Sequence, residues 1–255
     1  MTNNNKLAEV KKIGLYQRWV LLGNIYEAMS AMKRGIPVLL HDDTARENEI
    51  DYVLHASKVT IDKIYEMRTL AGGLICYAIP YKAGEKIGLE MGYKILSLIP
   101  GLVELTKKTL RYGDKPAFSI WVNHIKVITG IRDKDRYLTI RELNRVSDLI
   151  FQGKYEEARK KFLSEFTTPG HLPILLGKNL RERRGHTELS LYLSMLSGLN
   201  PSVVIVEMLS YGDALGIEDA RKIERDKGYP LVEGSDILYM VEKVEEDLYC
   251  RYNIC

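Results

Sequence analysis

Long apolar runs are missing from this 255-residue chain. Its purely apolar stretches, such as Val203 to Val206, are a fraction of the roughly 18 residues a membrane-spanning helix needs. Cysteine is scarce: Cys76, Cys250 and Cys255 are an odd number and form no C-x-x-C pair, so neither a disulfide framework nor a structural zinc site is expected. A reducing, cytoplasmic setting fits that usage. Charge of one sign is missing too. Against 34 acidic residues stand 37 basic ones, a net charge of +3 with no long Lys/Arg block, which argues against nucleic acid and against a membrane surface as partners. The first sixteen residues carry charges throughout and no apolar centre, so no signal peptide is expected there. Only two glutamines occur, Gln17 and Gln152, a weak lean towards a heat-adapted source. There is no G-x-G-x-x-G after the first strand, no P-loop and no G-x-S-x-G, so dinucleotide, nucleotide and serine-hydrolase sites lack support.

What is present is enough apolar residue, 45% against 28% charged, for one large domain with a proper core. Leu21, Leu22, Ile25, Tyr26, Met29 and Met32 recur at helical spacing over residues 17–34, and Gly35-Ile36-Pro37 ends that helix before the apolar strand 38–40. Strands are also predicted at 51–55, 74–79, within 117–127 and at 203–206. Thr60 reads as a helix N-cap, Thr139 to Glu142 as a capping box, and Thr187 as the cap of a helix ending at Gly198. Helices are further predicted over 155–166, 217–227 and 236–244. Residues 81–116 show no single period and read as a loop-bearing excursion with a short helix near 103–110. With no repeat and no linker, the economical architecture is a single α+β domain, a mixed β-sheet flanked by helices, over residues 17–242. Residues 1–16 then form an N-terminal extension and 243–255 a C-terminal tail with no assignable role, expected to fray.

The densest group of ionisable side chains is Asp42-Asp43-Thr44-Ala45-Arg46-Glu47-Asn48-Glu49-Ile50-Asp51, six charges in ten residues directly after a buried strand. Loops leaving a sheet commonly carry binding residues. Composition alone fits a solvated loop equally well; as a site, the carboxylates suit a hard divalent cation and Arg46 a phosphate. Arg181 to Glu188 sets arginines and His186 before a helix start, which favours an anion, although a lone histidine there is more often structural. Pro169-Gly170-His171 reads as a tight turn presenting an imidazole. Glu207 ends an apolar strand, where burial would raise its pKa and a strand-end Glu reaching water is the blander reading.

Taken in order, these segments resemble one family. Asp42-Asp43 with Arg46-Glu47-x-Glu49-x-Asp51, then Gly73-Leu74-Ile75-Cys76, Thr129-Gly130-Ile131 with Asp135-Arg136 and Thr139, Pro169-Gly170-His171, Arg183-x-Gly185-His186-Thr187-Glu188 and Glu207 are similar to 3,4-dihydroxy-2-butanone 4-phosphate synthase. The resemblance implies a metal-dependent lyase of riboflavin biosynthesis, turning D-ribulose 5-phosphate into 3,4-dihydroxy-2-butanone 4-phosphate and formate. It implies Mg2+ or Mn2+, no organic cofactor, and a homodimer with sites at the subunit interface. By position it gives His171 and Glu207 the proton transfers, with Asp42 and Cys76 also catalytic. Arg46, Glu47, Asp51, Arg183 and Thr187 bind substrate, while Glu47 and His186 bind metal. A divergent or silent relative binding another phosphorylated ketose is the alternative, and would be marked by loss of Glu47, His171, His186 or Glu207, all of which are present. The chain departs from the family pattern at Thr44, Ala45 and Ile50, the last a place where Gly, and hence a left-handed φ, is common. It also has Asn123 where many members have Asp, and Arg132 and Arg184 for smaller residues.

Overall fold

A computed structural model describes residues 15–244 and 248–254; most of the expected extension 1–16 lies outside them. The apolar spacing around Ile25 makes the helix α1 (Leu15–Arg34), which buries Ile25, Ala28, Ala31 and Met32 but leaves Tyr26 exposed. The chain continues through β1 (Val38–His41), β2 (Ile50–His55), α2 (Ile61–Leu70) and β3 (Cys76–Pro80). Thr60 caps α2 as expected, its hydroxyl accepting from Lys63 N at 3.2 Å. The excursion is more regular than its sequence suggests, holding α3 (Tyr81–Lys86), α4 (Gly92–Ser97) and α5 (Val103–Lys107). All three are too short to display a period.

β4 (Phe118–His124), α6 (Asp133–Phe151), α7 (Tyr155–Glu165) and β5 (Phe166–Gly177) follow. Two expectations fail here. Thr139 opens no helix: α6 starts six residues earlier, and the Thr139 hydroxyl sits inside it, bonded to Asp135 O and accepting from His124 N. The start is fixed instead by Asp135, whose carboxylate accepts the backbone N–H groups of Thr129 and Gly130. Likewise Pro169-Gly170-His171 is no turn but part of β5. There the ladder with β4 slips, from Val122 opposite Leu172 to Asn123 opposite Thr167, so that residues 168–171 bulge out.

α8 (His186–Leu196), β6 (Val203–Glu207), the hairpin β7 (Leu209–Ser210) and β8 (Asp213–Ala214), α9 (Ile217–Lys227), β9 (Leu231–Glu233), α10 (Gly234–Lys243) and α11 (Leu248–Arg251) complete the chain. Thr187 is not the cap of α8; Gly185 is, and Glu188 accepts from Gly185 N at 3.1 Å. Seven strands make one mixed sheet in the order β4-β5-β3-β6-β2-β1-β9, parallel only at β3/β5 and β1/β9. Alternation along the strands shows both faces covered. Tyr52 and Tyr77 point to the α2 and α6 side, bonded to Glu66 and Ser147, whereas Asp51, one residue before Tyr52, points to His186 of α8. α8 lies against five strands with α1 and α10 behind it, and is buried from His186 to Met195. The expected architecture, a single domain with a mixed sheet flanked by helices, is what forms. No helix among the described residues is long and apolar enough to cross a membrane.

Residues 248–254 of the C-terminal tail pack against the domain. Leu248, Tyr249, Tyr252 and Ile254 are buried, Tyr249 donates to Lys178 O, and Asn253 Nδ2 donates to Phe151 O. Cys76 is buried and free. Because Ile254 is 1% exposed, Ile254→Ala is expected to lower unfolding free energy by about 2–3 kcal/mol in urea titration. An unchanged midpoint would mean that the end does not pack.

Candidate functional site

The acidic loop joins antiparallel β1 and β2, and Asp42 folds it. Its side chain has no exposed surface; Oδ2 accepts from Glu47 N and Oδ1 from Glu49 N, each at 3.2 Å, and Arg46 bonds Oδ2 at 3.0 Å. Asp42 therefore shapes the loop, and it borders the larger of the two cavities the loop touches, not the one lined by Glu47, Glu49 and Asp51. Ile50 belongs to β2 with an ordinary strand conformation. The left-handed residue is Asn48, at φ 56°, a residue type that tolerates it, and its side chain is tied to His41 Nε2 at 3.1 Å.

Next to the loop, the antiparallel register sets Asp51 opposite Glu207 and Cys76 opposite Ile205. Two carboxylates side by side on a buried sheet face repel, and both are driven towards protonation. Burial, with Glu207, Glu47 and Glu49 nearby, pushes Asp51 up to about 7, and its Oδ1 has no hydrogen-bond partner among the described residues. Burial and Glu47 likewise raise Glu207, and burial and Glu47 raise Glu49. Burial followed by the charges of Glu207 and Asp51 keeps the Cys76 thiol protonated. Cys76 sits below the cavity rather than in its wall.

The first turn of α8 brings the imidazole. His186 Nδ1 lies 3.1 Å from Glu47 Oε2, Nε2 lies 3.0 Å from Glu49 O, and Asp42 and Asp51 are each 3.9 Å away. Burial opposes its charge, yet the surrounding carboxylates win and lift it to about 9. Glu47 falls to about 2, because contacts with His186, Tyr112 and Arg46 outweigh its own burial. Glu47, Glu49, Asp51, Arg183, His186, Thr187 and Glu207 line one cavity of about 360 Å3. Arg46 faces an adjoining cavity of about 720 Å3, and Arg183 borders both.

Two residues of the excursion were not foreseen. Tyr112 stacks under the Arg46 guanidinium, 4.5 Å from its centre, and Asp114 bridges Arg46 (3.2 Å) and Arg183 (3.7 Å). Nothing in a segment without a period announced them. His171, by contrast, stands apart: it lies on the exposed β5 bulge, beside Asn123, and does not line the cavity. Gly170 lets the bulge press on β4, since a Cβ there would fall 2.0 Å from the Val122 carbonyl carbon.

Two side-chain groups among the described residues have metal-ligand spacing, Asp42–Glu47–His186 and His124–Glu142–Glu165. The second is already neutralised by Lys161, Arg141 and Arg145. The first has two cation-seeking carboxylates, Glu49 and Asp51, beside it and the unpartnered Asp51 Oδ1 aimed into the same space.

A family model described as 3,4-dihydroxy-2-butanone 4-phosphate synthase matches residues 26–240. An Archaeoglobus fulgidus protein of that name is 38% identical over 229 residues, 86% of this chain and 94% of the relative. A riboflavin biosynthesis protein of Bacillus cytotoxicus is 31% identical over 187 residues, 72% of this chain but 40% of the longer relative. Among solved structures, a 3,4-dihydroxy-2-butanone 4-phosphate synthase in complex with two magnesium ions superposes with a TM-score of 0.67 at 26% identity, covering 87% of this chain and 97% of the other.

The His186 shift has a measurable sign. A raised folded-state pKa gives stability that is complete below the unfolded value of 6.5 and lost as pH rises through about 9. In EDTA-treated protein, the urea midpoint of wild type should approach that of His186→Gln across this window; a constant gap between them would refute the assignment.

Proposed function

Because the chain belongs to the 3,4-dihydroxy-2-butanone 4-phosphate synthase family, enzymes of riboflavin biosynthesis, we propose that its cavity takes D-ribulose 5-phosphate and releases 3,4-dihydroxy-2-butanone 4-phosphate and formate. The observation that carries the reading is the convergence of Glu47, Glu49, Asp51, His186 and Glu207, with Arg183, on one enclosed space. Arg183, Arg46 and Thr187 hold the phosphate at the start of α8, where backbone N–H groups and the helix dipole favour an anion. That anchor keeps the reacting carbons from turning. Asp51 receives the substrate hydroxyls. Glu207, its pKa raised by burial, takes and returns protons in the enolisation, dehydration and rearrangement steps.

The donor set fits a divalent cation held by Glu47 and His186. The field that lifts His186 favours any positive charge there, and Asp51 Oδ1 lacks a partner. Carboxylates suit Mg2+, while the imidazole makes Mn2+ an acceptable substitute. Bound there, the ion supplies an electrophile for the ketone and steadies the negative charge that develops on its oxygens. No organic cofactor enters the scheme.

His171 is remote from this cavity, so we assign it to the site of a second copy, making the enzyme a homodimer with shared sites. Trp121, Ile125, Ile128 and Ile131, exposed by 39%, 55%, 77% and 52%, give the edge around the bulge an apolar surface for that copy. A phosphorylated substrate places the work in the cytoplasm.

Formate release from ribulose 5-phosphate with Mg2+ is the expected activity, abolished by EDTA, by His171→Ala and by Glu207→Ala. Mixing the two variants as unfolded chains and refolding them together should restore about a quarter of wild-type activity, since half of the dimers are mixed and each has one intact site. No recovery would place both side chains in one subunit's site.

Asp114 neutralises the same arginines that would hold the phosphate. Asp114→Asn is therefore expected to lower KM severalfold with kcat unchanged; an unchanged or raised KM would mean that Asp114 does not compete.

A further inference from the structure

What His171 can do to a substrate depends on which ring nitrogen carries the proton. Asn123, buried at the end of β4, meets His171 with both ends of its amide. Its Oδ1 accepts the backbone N–H of His171 at 2.9 Å, and its Nδ2 lies 3.1 Å from His171 Nδ1. A backbone N–H can only donate, so exchanging the amide's O and N would set donor against donor. Nδ2 therefore faces the ring as a donor, and Nδ1 accepts. A neutral imidazole that accepts at Nδ1 carries its proton at Nε2.

The amide is also packed on one face. Gly130, at φ 96°, lies flat against it, and a Cβ there would fall 2.3 Å from both Nδ2 and Oδ1. Gly130 is fixed in turn by its N–H bond to Asp135 at 3.0 Å. Thr129-Gly130, Asp135 and Pro169-Gly170-His171 are thus parts of one clamp on a single ring.

We infer that Asn123 is a positioning residue that locks His171 as the Nε2–H tautomer, so that the imidazole meets the substrate as a neutral hydrogen-bond donor and not as a base. This rests on the reaction proposed above. A neutral imidazole donor suits an oxygen on which negative charge builds during enolisation, and the base is then Glu207. Aspartate at position 123 would keep the anchor to the His171 backbone, draw the proton to Nδ1 and leave a lone pair at Nε2. The missing charge at this position decides which tautomer the ring adopts.

The test is imidazole 15N NMR of the full-length protein with labelled histidine, the His171 signals assigned with His171→Gln. Wild type should give the Nε2–H pattern, Asn123→Asp the Nδ1–H pattern, and Asn123→Ala a mixture. An Nδ1–H ring in wild type, or an unchanged ring in both variants, would overturn the inference. Wild type that shows the Nε2–H ring and releases no formate would defeat the proposed reaction and leave the tautomer lock supported.

Discussion

Five carboxylates, those of Asp42, Glu47, Glu49, Asp51 and Glu207, meet at one end of a buried sheet, where like charges cannot all stay ionised without compensation. The surroundings of the site are organised by how that charge is met. Asp42 is met by backbone N–H groups and Arg46, and so becomes the frame of the loop. Glu47 is met by Arg46 and His186 and is held ionised. Asp51, with the His186 ring 3.9 Å away and no hydrogen-bond partner for Oδ1 among the described residues, rises to about 7. One field thus yields a carboxylate fixed as an anion and others pushed towards the protonated form, within one cavity.

Much of this was legible because the relevant signals are local. An acidic run after an apolar strand, and Arg, His and Thr before a helix, each place chemistry where a sheet or helix ends, and both ends meet in the structure. The alternating and apolar strands were legible for the same reason. Capping was less so, since a Ser/Thr-x-x-Glu pattern also occurs inside helices: Thr139 bonds within α6 and to β4 instead of starting a helix. The difference between Ile50 and Asn48 as the left-handed position likewise depends on where the loop's hydrogen bonds close, which Asp42 decides.

The placement of His171 could not be read from sequence, because it follows from long-range pairing. A proline and a glycine before a histidine look like a turn, but β4 supplies the opposite strand and absorbs them as a bulge. The glycines then acquire a specific meaning. Gly170 permits contact with the Val122 backbone and Gly130 permits contact with the Asn123 amide, so two motifs some forty residues apart in sequence serve one side chain.

The excursion between β3 and β4 shows the opposite relation between regularity and use. Its helices are short and its glycines frequent because the chain leaves the sheet at Pro80, travels over the site and returns at Phe118 within fewer than forty residues. Such a path favours short helices and turns over one long periodic element. Yet at its end it lays Tyr112 beneath Arg46 and sets Asp114 between Arg46 and Arg183. Two arginines side by side repel unless an anion lies between them. The chain supplies that anion itself, in the position where a phosphate would serve equally well, and so holds both guanidinium groups oriented and charged at the mouth of the cavity.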